Sequence, residues 1–203
     1  MPFSDDSKLV LASASAVRTR LLTNAGVPHL VDPAHLDEAS VRDALLTEGA
    51  DHFAIAETLG EFKAQRISQK RPGEMVLGAD QVLSCNGVLF EKPADLDHVR
   101  AHLKALMGKA HTLHTSASVV RDGTVLWHQN TSATLHMRTL SDEFIDAYVK
   151  TVGDAACASV GAYEIEGFGA QLFSRIDGDF FVILGLPLLP LMEFLRNNGV
   201  VKQ

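Results

Sequence analysis

Cysteine is scarce in this sequence, in which Cys85 and Cys157 are the only two among 203 residues. They lie far apart and form no Cys-x-x-Cys pair, so the sequence offers neither a disulfide framework nor the paired ligands of a structural zinc site. We therefore expect both cysteines to be ordinary packed thiols.

Positive charge is also limited. Lysine and arginine total 18 against 25 aspartates and glutamates, which gives a formal net charge of −7. A general nucleic-acid-binding protein, or a protein held on an anionic membrane, needs a broad basic face, and this composition argues against both kinds of partner. Any binding of phosphate must therefore depend on a few local side chains.

Long apolar runs are missing as well, since no stretch approaches the roughly 18 residues that cross a membrane. The segment Met1–Lys8 is short, polar and acidic, without the basic start and apolar run of a secretory signal. With 46% hydrophobic residues the chain can still bury one substantial core. We expect one globular domain, an enzyme or a binding protein, in the cytoplasm.

The apolar periodicity predicts strands and helices in an irregular order. Asn86-Gly87 and Asp122-Gly123 favour two tight hairpins, because these residues tolerate positive φ. An acidic loop is expected between the second strand and the second helix. The order indicates an α/β fold with a mixed sheet, not a repeated βαβ unit. The predicted strands are residues 8–13, 29–32, 74–85, 88–90, 111–120, 124–137, 162–165 and 170–176, and the predicted helices are residues 15–26, 51–69, 95–107, 141–150 and 188–198.

Ser13 and Ser15 lie where the first predicted strand meets the first predicted helix. Their hydroxyls and the free N–H groups of the first helical turn can converge on an anion, for which phosphate is the natural ligand. Arg18, one turn into the helix, can add bidentate contacts to phosphate oxygens. The alternative is that Ser15 only caps the helix and Arg18 is solvated.

Asp80 places a carboxylate where an otherwise apolar strand emerges, and ligands collect at strand ends in open α/β sheets. It can hold a divalent cation or activate a water molecule. The alternative is a turn or capping aspartate. Asp37 and Glu38 offer further carboxylates, and Glu38 with Asp80 suffices for a magnesium-type ion that also binds substrate phosphates. Alone, Asp37-Glu38 is typical of a solvated loop.

Lys63, on the second predicted helix, and Lys92, just before Pro93, are the candidate cations. Lysine acts at phosphate as a strong mobile point charge, so the two can flank a polyphosphate. Each alone is typical of a surface lysine.

These residues together resemble the Maf family of nucleotide pyrophosphatases, and the resemblance runs along nearly the whole chain. No single match is decisive, but so many in order are highly specific. The matches are Leu11-Ala-Ser-Ala-Ser15, Arg18, Leu21-Leu22, Asp37-Glu38, Lys63-Ala64, Gly78-Ala-Asp80, Gly87, Lys92-Pro93, Leu106-Met-Gly-Lys-Ala-His111, Thr115, Tyr148-Val149, Gly161-Ala-Tyr163, Glu166-Gly167, Gly178 and Gly185-Leu-Pro187.

The resemblance implies a single domain over residues 1–203, with an elongated mixed sheet, flanking helices and two lobes around a nucleotide cleft. It implies hydrolysis of a nucleoside triphosphate to a monophosphate and pyrophosphate, with Mg²⁺, Mn²⁺ or Co²⁺ as cofactor, and it suggests a homodimer. Asp80 matches the family's catalytic acid/base position, and Glu38 matches an acidic residue that assists with the metal. Ser13, Arg18, Lys63 and Lys92 match its substrate-binding positions, to which the helix argument adds Ser15.

Three positions associated with base choice in the family match Val17, Gln81 and Glu166. Gln81 and Glu166 resemble the branch that acts on 7-methyl-GTP, whereas the branch preferring dTTP and UTP has threonine and glutamine there. The 7-methyl-GTP branch typically has an aromatic residue at the Val17 position, which can stack on a charged purine. Valine cannot stack in this way, so the resemblance predicts a nucleoside triphosphate without fixing its base.

The Ser15–Arg20 segment departs from the family, because its usual Ser-Pro-Arg-Arg reads Ser-Ala-Val-Arg and a common glutamate is Arg20. Two alternatives follow. One is the related inosine-triphosphate type of pyrophosphatase, which shares the products but not the motif order. The other is a nucleotide-binding regulatory module without turnover.

Overall fold

The computed structural model describes residues 9–202. The predicted start of the first strand at Lys8, and the polar segment Met1–Lys8, lie outside the described residues. The strands are β1 (Leu9–Leu11), β2 (His29–Val31), β3 (Met75–Cys85), β4 (Val88–Phe90), β5 (Ala110–Arg121), β6 (Thr124–Met137) and β7 (Phe173–Asp177). The helices are α1 (Ala16–Asn24), α2 (Glu38–Thr47), α3 (His52–Ser68), α4 (Leu96–Leu106), α5 (Asp142–Val152), α6 (Phe180–Ile183) and α7 (Leu188–Asn197), with 3₁₀ helices at Gly153–Ala158 and Phe168–Leu172.

The strands form a mixed seven-stranded sheet in the order β2-β1-β3-β5-β6-β7, with β4 paired to β3. β1 is parallel to both of its neighbours, so that Leu9 lies opposite His29 and Met75. The pairs β3/β4 and β6/β7 are antiparallel. The predicted α/β class and mixed sheet are confirmed.

Local sequence signals account for most element boundaries. Asn86 and Gly87 have φ of 52° and 79°, and Asp122 and Gly123 have φ of 48° and 77°, as the two predicted hairpin turns require. In four of the five predicted helices, the side chain of one residue accepts a backbone N–H at the helix start, which is the bond that defines an N-cap. These residues are Ser15, Asp51, Asp95 and Ser141.

Two predictions of secondary structure were wrong. The expected acidic loop contains helix α2, which Asp37 caps by accepting from the N–H of Ser40 at 3.2 Å. No residue of α2 is buried, and its apolar residues Val41, Ala44 and Leu45, although at helical spacing, stand among acidic and polar residues that also suit a loop. The strand expected at residues 162–165 is irregular, because Ala162 has φ of 60°, and the next strand begins only at Phe173, after a 3₁₀ helix.

The described chain divides into two compact units. The first comprises residues 9–81, 115–131 and 179–202, and the second comprises residues 82–114 and 132–178. Strands β3, β5 and β6 contribute residues to both. Within residues 9–202, no helix is long and apolar enough to cross a membrane.

In the first unit, both faces of the sheet are covered by helices. Leu9, Leu11 and Leu77 pack in one apolar cluster with α1 and α7. The alternating residues Val10 and Val76 point to the other face and pack with α3. This second face, beneath α3, carries the candidate site.

Candidate active site

Asp80 lies inside β3 and is 8% exposed, so it is neither a turn nor a capping residue. The three-residue strand β1 pairs with β3 only as far as Leu77. Asp80 therefore lies beyond the carboxyl end of β1, where the chain leaving β1 turns through Ser13 into α1. In α/β sheets this edge is the usual position of a ligand site.

Small residues bring α3 into close contact with β3 at this point. A methyl group at Gly78 would collide with the carbonyl oxygen of Gly60 and would lie 2.7 Å from the backbone nitrogen of Ala64. A methyl group at Gly60 would lie 3.3 Å from the backbone nitrogen of Asp80. These glycines therefore allow α3 to place Lys63, one turn after Gly60, directly over Asp80.

The ammonium of Lys63 contacts two carboxylates. Its Nζ lies 2.7 Å from Oδ1 of Asp80 and 2.9 Å from Oε1 of Glu38, the first residue of α2. The side chain of Lys63 is 9% exposed, whereas that of Glu38 is 45% exposed. Lys63 is therefore not a surface lysine, and Glu38 gives the buried charges access to solvent.

Arg18 is also buried, at 8% exposed, so the alternative of a solvated arginine is wrong. Its Nε donates to the carbonyl oxygen of Gly185 at 2.8 Å, and its Nη1 donates to that of Ala79 at 2.8 Å and to Oγ of Ser13 at 3.1 Å. Within the described residues, no acceptor is bonded to Nη2. Arg18 can therefore offer an anion its Nη2 edge but not the fork that the sequence suggested.

Ser13 and Ser15 accept hydrogen bonds from their own segment. Oγ of Ser13 accepts from the N–H of Ser15 at 3.3 Å, and Oγ of Ser15 accepts from the N–H of Arg18 at 3.4 Å. Each hydroxyl retains its own O–H for donation, and the first N–H groups of α1 lack acceptors within the helix. The segment is thus a cluster of donors at the positive end of a helix dipole.

Burial sets the electrostatics of the two central charges. It raises the pKa of Asp80 above the ordinary carboxyl value, while Lys63 and Arg18 oppose the rise. It lowers the pKa of Arg18, while Asp80 and Glu38 oppose that change. Burial removes the hydration that stabilises each charged group in water. The charged forms of Asp80 and Arg18 therefore depend on the opposite charges nearby.

A comparison with protein families identifies the family to which the chain belongs. The family model described as "Maf-like protein" matches residues 8–198. The chain belongs to the Maf-like family. The resemblance drawn from the sequence is therefore confirmed.

Curated relatives of the Maf-like chain match over almost their whole length. A protein of Paramagnetospirillum magneticum named nucleoside triphosphate pyrophosphatase is 48% identical over 94% of this chain and 98% of its own. One of Nitrobacter winogradskyi with the same name is 50% identical over 95% of both chains. One of Mesorhizobium japonicum named 7-methyl-GTP pyrophosphatase is 46% identical over 96% of this chain and 98% of its own.

The base-choice candidates of this Maf-like chain lie in different environments. Nε2 of Gln81 donates to Oγ1 of Thr115 at 2.8 Å and to the carbonyl oxygens of Val182 and Ile183 at 2.9 and 3.4 Å. These acceptors fix the amide with its nitrogen inward, because an amide oxygen there would face two carbonyl oxygens. Gln81 consequently presents only its Oε1, an acceptor, to a ligand.

The remaining predicted residues of the Maf-like chain are distributed over both units. Val17 is half-buried on α1, in the first unit. Lys92 and Glu166 are exposed and belong to the second unit. The structure thus brings together Ser13, Arg18, Glu38, Lys63 and Asp80. The roles of all the predicted site residues stay predictions.

Sequence reasoning missed the residues that hold the charged side chains in place. Gly185 and Ala79 contribute through their backbone carbonyls, which no side-chain pattern reveals. Gly60 contributes by lacking a side chain. Gly185 and Ala79 carried a signal, as parts of the Gly185-Leu-Pro187 and Gly78-Ala-Asp80 matches.

Proposed function

We propose that this protein is a nucleoside triphosphate pyrophosphatase that converts a nucleoside triphosphate to a monophosphate and pyrophosphate. The observation that carries this function is the buried contact of Lys63 with Asp80 and Glu38, beside the donors of Arg18 and the start of α1. The names of the relatives support the same reaction. We treat residues 1–203 as one pyrophosphatase domain.

The donors at the start of α1 bind the triphosphate. Arg18 contributes Nη2, held in place by Gly185 and Ala79, and the hydroxyls of Ser13 and Ser15 donate to phosphate oxygens. Lys63 and, by resemblance, Lys92 supply mobile positive charge. Since phosphoryl transfer depends chiefly on positioning and charge neutralisation, these groups account for much of the catalysis.

Asp80 acts on the nucleophile. As a carboxylate it accepts a proton from a water molecule, whose oxygen forms a bond to the α-phosphorus while the bond from that phosphorus to the bridging oxygen breaks. Pyrophosphate leaves with the electron pair of the broken bond.

The residues present fit a divalent cation of the Mg²⁺, Mn²⁺ or Co²⁺ type. Within residues 9–202 no group of three or more histidine, cysteine, aspartate or glutamate side chains is arranged for a metal. Such a cation, however, commonly takes only one or two carboxylates and completes its shell with phosphates and water. Asp80 and Glu38 are those two hard oxygen donors. When bound, the cation neutralises phosphate charge and polarises the P–O bonds.

We further propose that the base is selected by Val17, Gln81 and Glu166. A relative named 7-methyl-GTP pyrophosphatase supports testing this methylated nucleotide, as do Gln81 and Glu166. The acceptor Oε1 of Gln81 suits a base that offers an N–H group. Val17 provides no stacking surface, so affinity for a charged purine is expected to be weaker than with an aromatic residue there.

Pyrophosphate release from a panel of triphosphates tests the function. The panel contains canonical, methylated and deaminated nucleotides with Mg²⁺, Mn²⁺ or Co²⁺, and kcat/KM ranks the bases. Binding of these nucleotides without release of pyrophosphate would support the regulatory module instead. A preference for inosine triphosphate would favour the inosine-triphosphate type of specificity.

Asp80→Asn tests the role of the carboxylate. Loss of a general base typically lowers kcat by about 10²–10⁴-fold, so we expect a loss in this range with much of the nucleotide affinity retained. Single-turnover kinetics and equilibrium binding separate the two effects. Unchanged turnover in Asp80→Asn would remove Asp80 from the mechanism.

Compartment and assembly are also proposals. Both cysteines are free thiols, which suits the reducing cytoplasm. The homodimer suggested by the resemblance stays a prediction, and sedimentation equilibrium of the 21.9 kDa chain tests it.

A further inference from the structure

The position between Asp80 and Glu38 is filled by a cation that belongs to the protein itself. One nitrogen, Nζ of Lys63, lies 2.7 Å from Oδ1 of Asp80 and 2.9 Å from Oε1 of Glu38. A divalent cation shared by these oxygens would lie about 2.0–2.6 Å from each. The ammonium and the metal therefore require nearly the same space.

We propose that Lys63 and the divalent cation are alternative occupants of this position, so that binding of the cation moves the ammonium away from both carboxylates. The proposal rests on the proposed function, in which Asp80 and Glu38 bind the metal. It adds that the free enzyme carries its own competitor for that metal.

Lys63, and not Arg18, is the group that can move. The guanidinium of Arg18 is fixed by the carbonyl oxygens of Gly185 and Ala79, which belong to the backbone. The only contacts recorded for Nζ of Lys63 within the described residues are the two carboxylates. The flexible four-carbon stem of lysine lets the ammonium swing when a doubly charged ion takes those oxygens.

Two consequences follow for the reaction. Before the metal binds, Lys63 holds Asp80 and Glu38 together and limits the repulsion between them. After the metal binds, the ammonium is released from the carboxylates and becomes available to phosphate oxygens. Lys63 would then change partners in response to the cation, and a nucleotide arriving with its metal would meet both positive charges.

Titration with Mn²⁺ alone, without nucleotide, tests the competition. Affinity is measured by calorimetry or by the electron paramagnetic resonance signal of free Mn²⁺, at mildly alkaline pH. Lys63→Met removes the competitor, and we expect Mn²⁺ to bind at least about tenfold more tightly, because the ion no longer has to displace an ammonium from the two carboxylates. Lys70→Met removes an exposed lysine just after α3 and should change the affinity less than about twofold, because solvent and salt screen its charge.

Further variants guard against misfolding and identify the site. Lys63→Gln, which retains a hydrogen-bond donor, should also tighten binding, and circular dichroism shows whether each variant is folded. Glu38→Gln added to Lys63→Met should weaken Mn²⁺ binding again. An equal or lower affinity in both folded Lys63 variants, or no effect of Glu38→Gln, overturns the proposal.

The same proteins distinguish this proposal from the proposed function. If the wild-type enzyme releases pyrophosphate but the Lys63 variants bind Mn²⁺ no more tightly, only the competition is wrong. If the wild-type enzyme releases no pyrophosphate from any nucleotide, the proposed function fails, whatever the Mn²⁺ affinities.

Discussion

Arg18 and Lys63 are equally buried cations, at 8% and 7% exposed, but their environments give them different properties. Arg18 is bonded to the backbone at Gly185 and Ala79, so its position is set by the fold. Lys63 is bonded only to carboxylate side chains among the described residues, so its position depends on charge. One residue is suited to fixed recognition of phosphate and the other to a change of partner.

Gly185→Ala tests how far the position of Arg18 matters. Gly185 has φ of 91°, and a methyl group there would lie 3.4 Å from Nη2 of Arg18, the nitrogen offered to phosphate. We expect KM for the triphosphate to rise about tenfold, with a smaller change in kcat, because displacement of Arg18 weakens one charge-assisted hydrogen bond. Steady-state kinetics with varied nucleotide measures both.

Gly73→Ala is the matched control for this variant. Gly73 has φ of 78° but a methyl group there meets nothing within 4 Å, so the substitution adds backbone strain alone. It should lower stability without raising KM. An equal rise in KM for the two variants would show that strain, not Arg18, is responsible.

His111 gives the protein a pH-dependent stability. It is 1% exposed, its Nε2 is bonded to the hydroxyl of Tyr163 at 2.8 Å, and its buried Nδ1 has no described partner. Burial lowers the pKa of His111 to about 4, with His136 contributing. In the unfolded chain His111 takes up a proton near its ordinary pKa of 6.5. The neutral, buried His111 therefore contributes up to about 3 kcal/mol to the free energy of unfolding above pH 6.5, and this contribution is lost as pH falls from about 6.5 to about 4.

Denaturant unfolding across this pH range measures the effect. Residue 111 cannot titrate in His111→Gln. The slope of the free energy of unfolding against pH should therefore be shallower in this variant, by the equivalent of up to one bound proton. Tyr163→Phe removes the hydrogen bond but keeps the imidazole, and should keep most of the wild-type slope. Identical slopes for His111→Gln and wild type would contradict the assignment.

At the scale of elements, the contact of α3 with β3 joins the fold to the site. Gly60, Ala64 and Gly78 let the helix approach the strand, and Lys63 belongs to the same helical turn. The apolar residues Ile67 of α3 and Val76 of β3 are buried in one cluster and stabilise the contact between the helix and the strand. Packing of the helix therefore determines the distance between Lys63 and Asp80.

Gly78→Ala and Gly60→Ala should have graded effects on this contact. The added methyl group collides with backbone at Gly78 but lies 3.3 Å from the nearest atom at Gly60. We expect Gly78→Ala to lower the free energy of unfolding by about 3 kcal/mol or more. Gly60→Ala should change this free energy little, because crowding opposes the roughly 1 kcal/mol by which alanine is favoured inside a helix, but it should lower kcat because α3 must shift. Arg66→Ala, on the exposed side of α3, should affect neither. A wild-type kcat in Gly60→Ala would show that activity does not depend on the position of α3.

At the scale of the whole molecule, charge favours the external cation proposed above. The chain has a formal net charge of −7, and the triphosphate is also negative. The central cluster of Arg18, Lys63, Asp80 and Glu38 has two positive and two negative members, so it provides no net attraction. The divalent cation proposed above would supply positive charge next to the phosphates.

Removal of divalent cations should therefore abolish turnover. After dialysis against EDTA, we expect pyrophosphate release to fall to background and to recover on addition of Mg²⁺, Mn²⁺ or Co²⁺. EDTA saturated with Mg²⁺ is the control for effects of the chelator itself. Full activity of the metal-free protein would contradict the charge argument and the metal role of Glu38 and Asp80.

The sequence determined the features that depend on neighbouring residues. Turn dipeptides at Asn86-Gly87 and Asp122-Gly123, and capping side chains such as Ser15, fix local φ and hydrogen bonds, so the hairpins and helix starts were predictable. The apolar periodicity of α3 and β3 located the elements that carry Lys63 and Asp80. Helix α2 escaped prediction although Val41, Ala44 and Leu45 have helical spacing, since the segment is otherwise mostly polar and buries no residue.

Only the tertiary structure decided how these residues act together. The sequence could name Asp80, Lys63, Glu38 and Arg18 but not show that Lys63 lies between two carboxylates, since those contacts join residues far apart in the chain. It suggested a bidentate Arg18, whereas the fold leaves only Nη2 available. Burial, backbone carbonyls and close helix packing are properties of the folded chain, and they turn separate charges into a site.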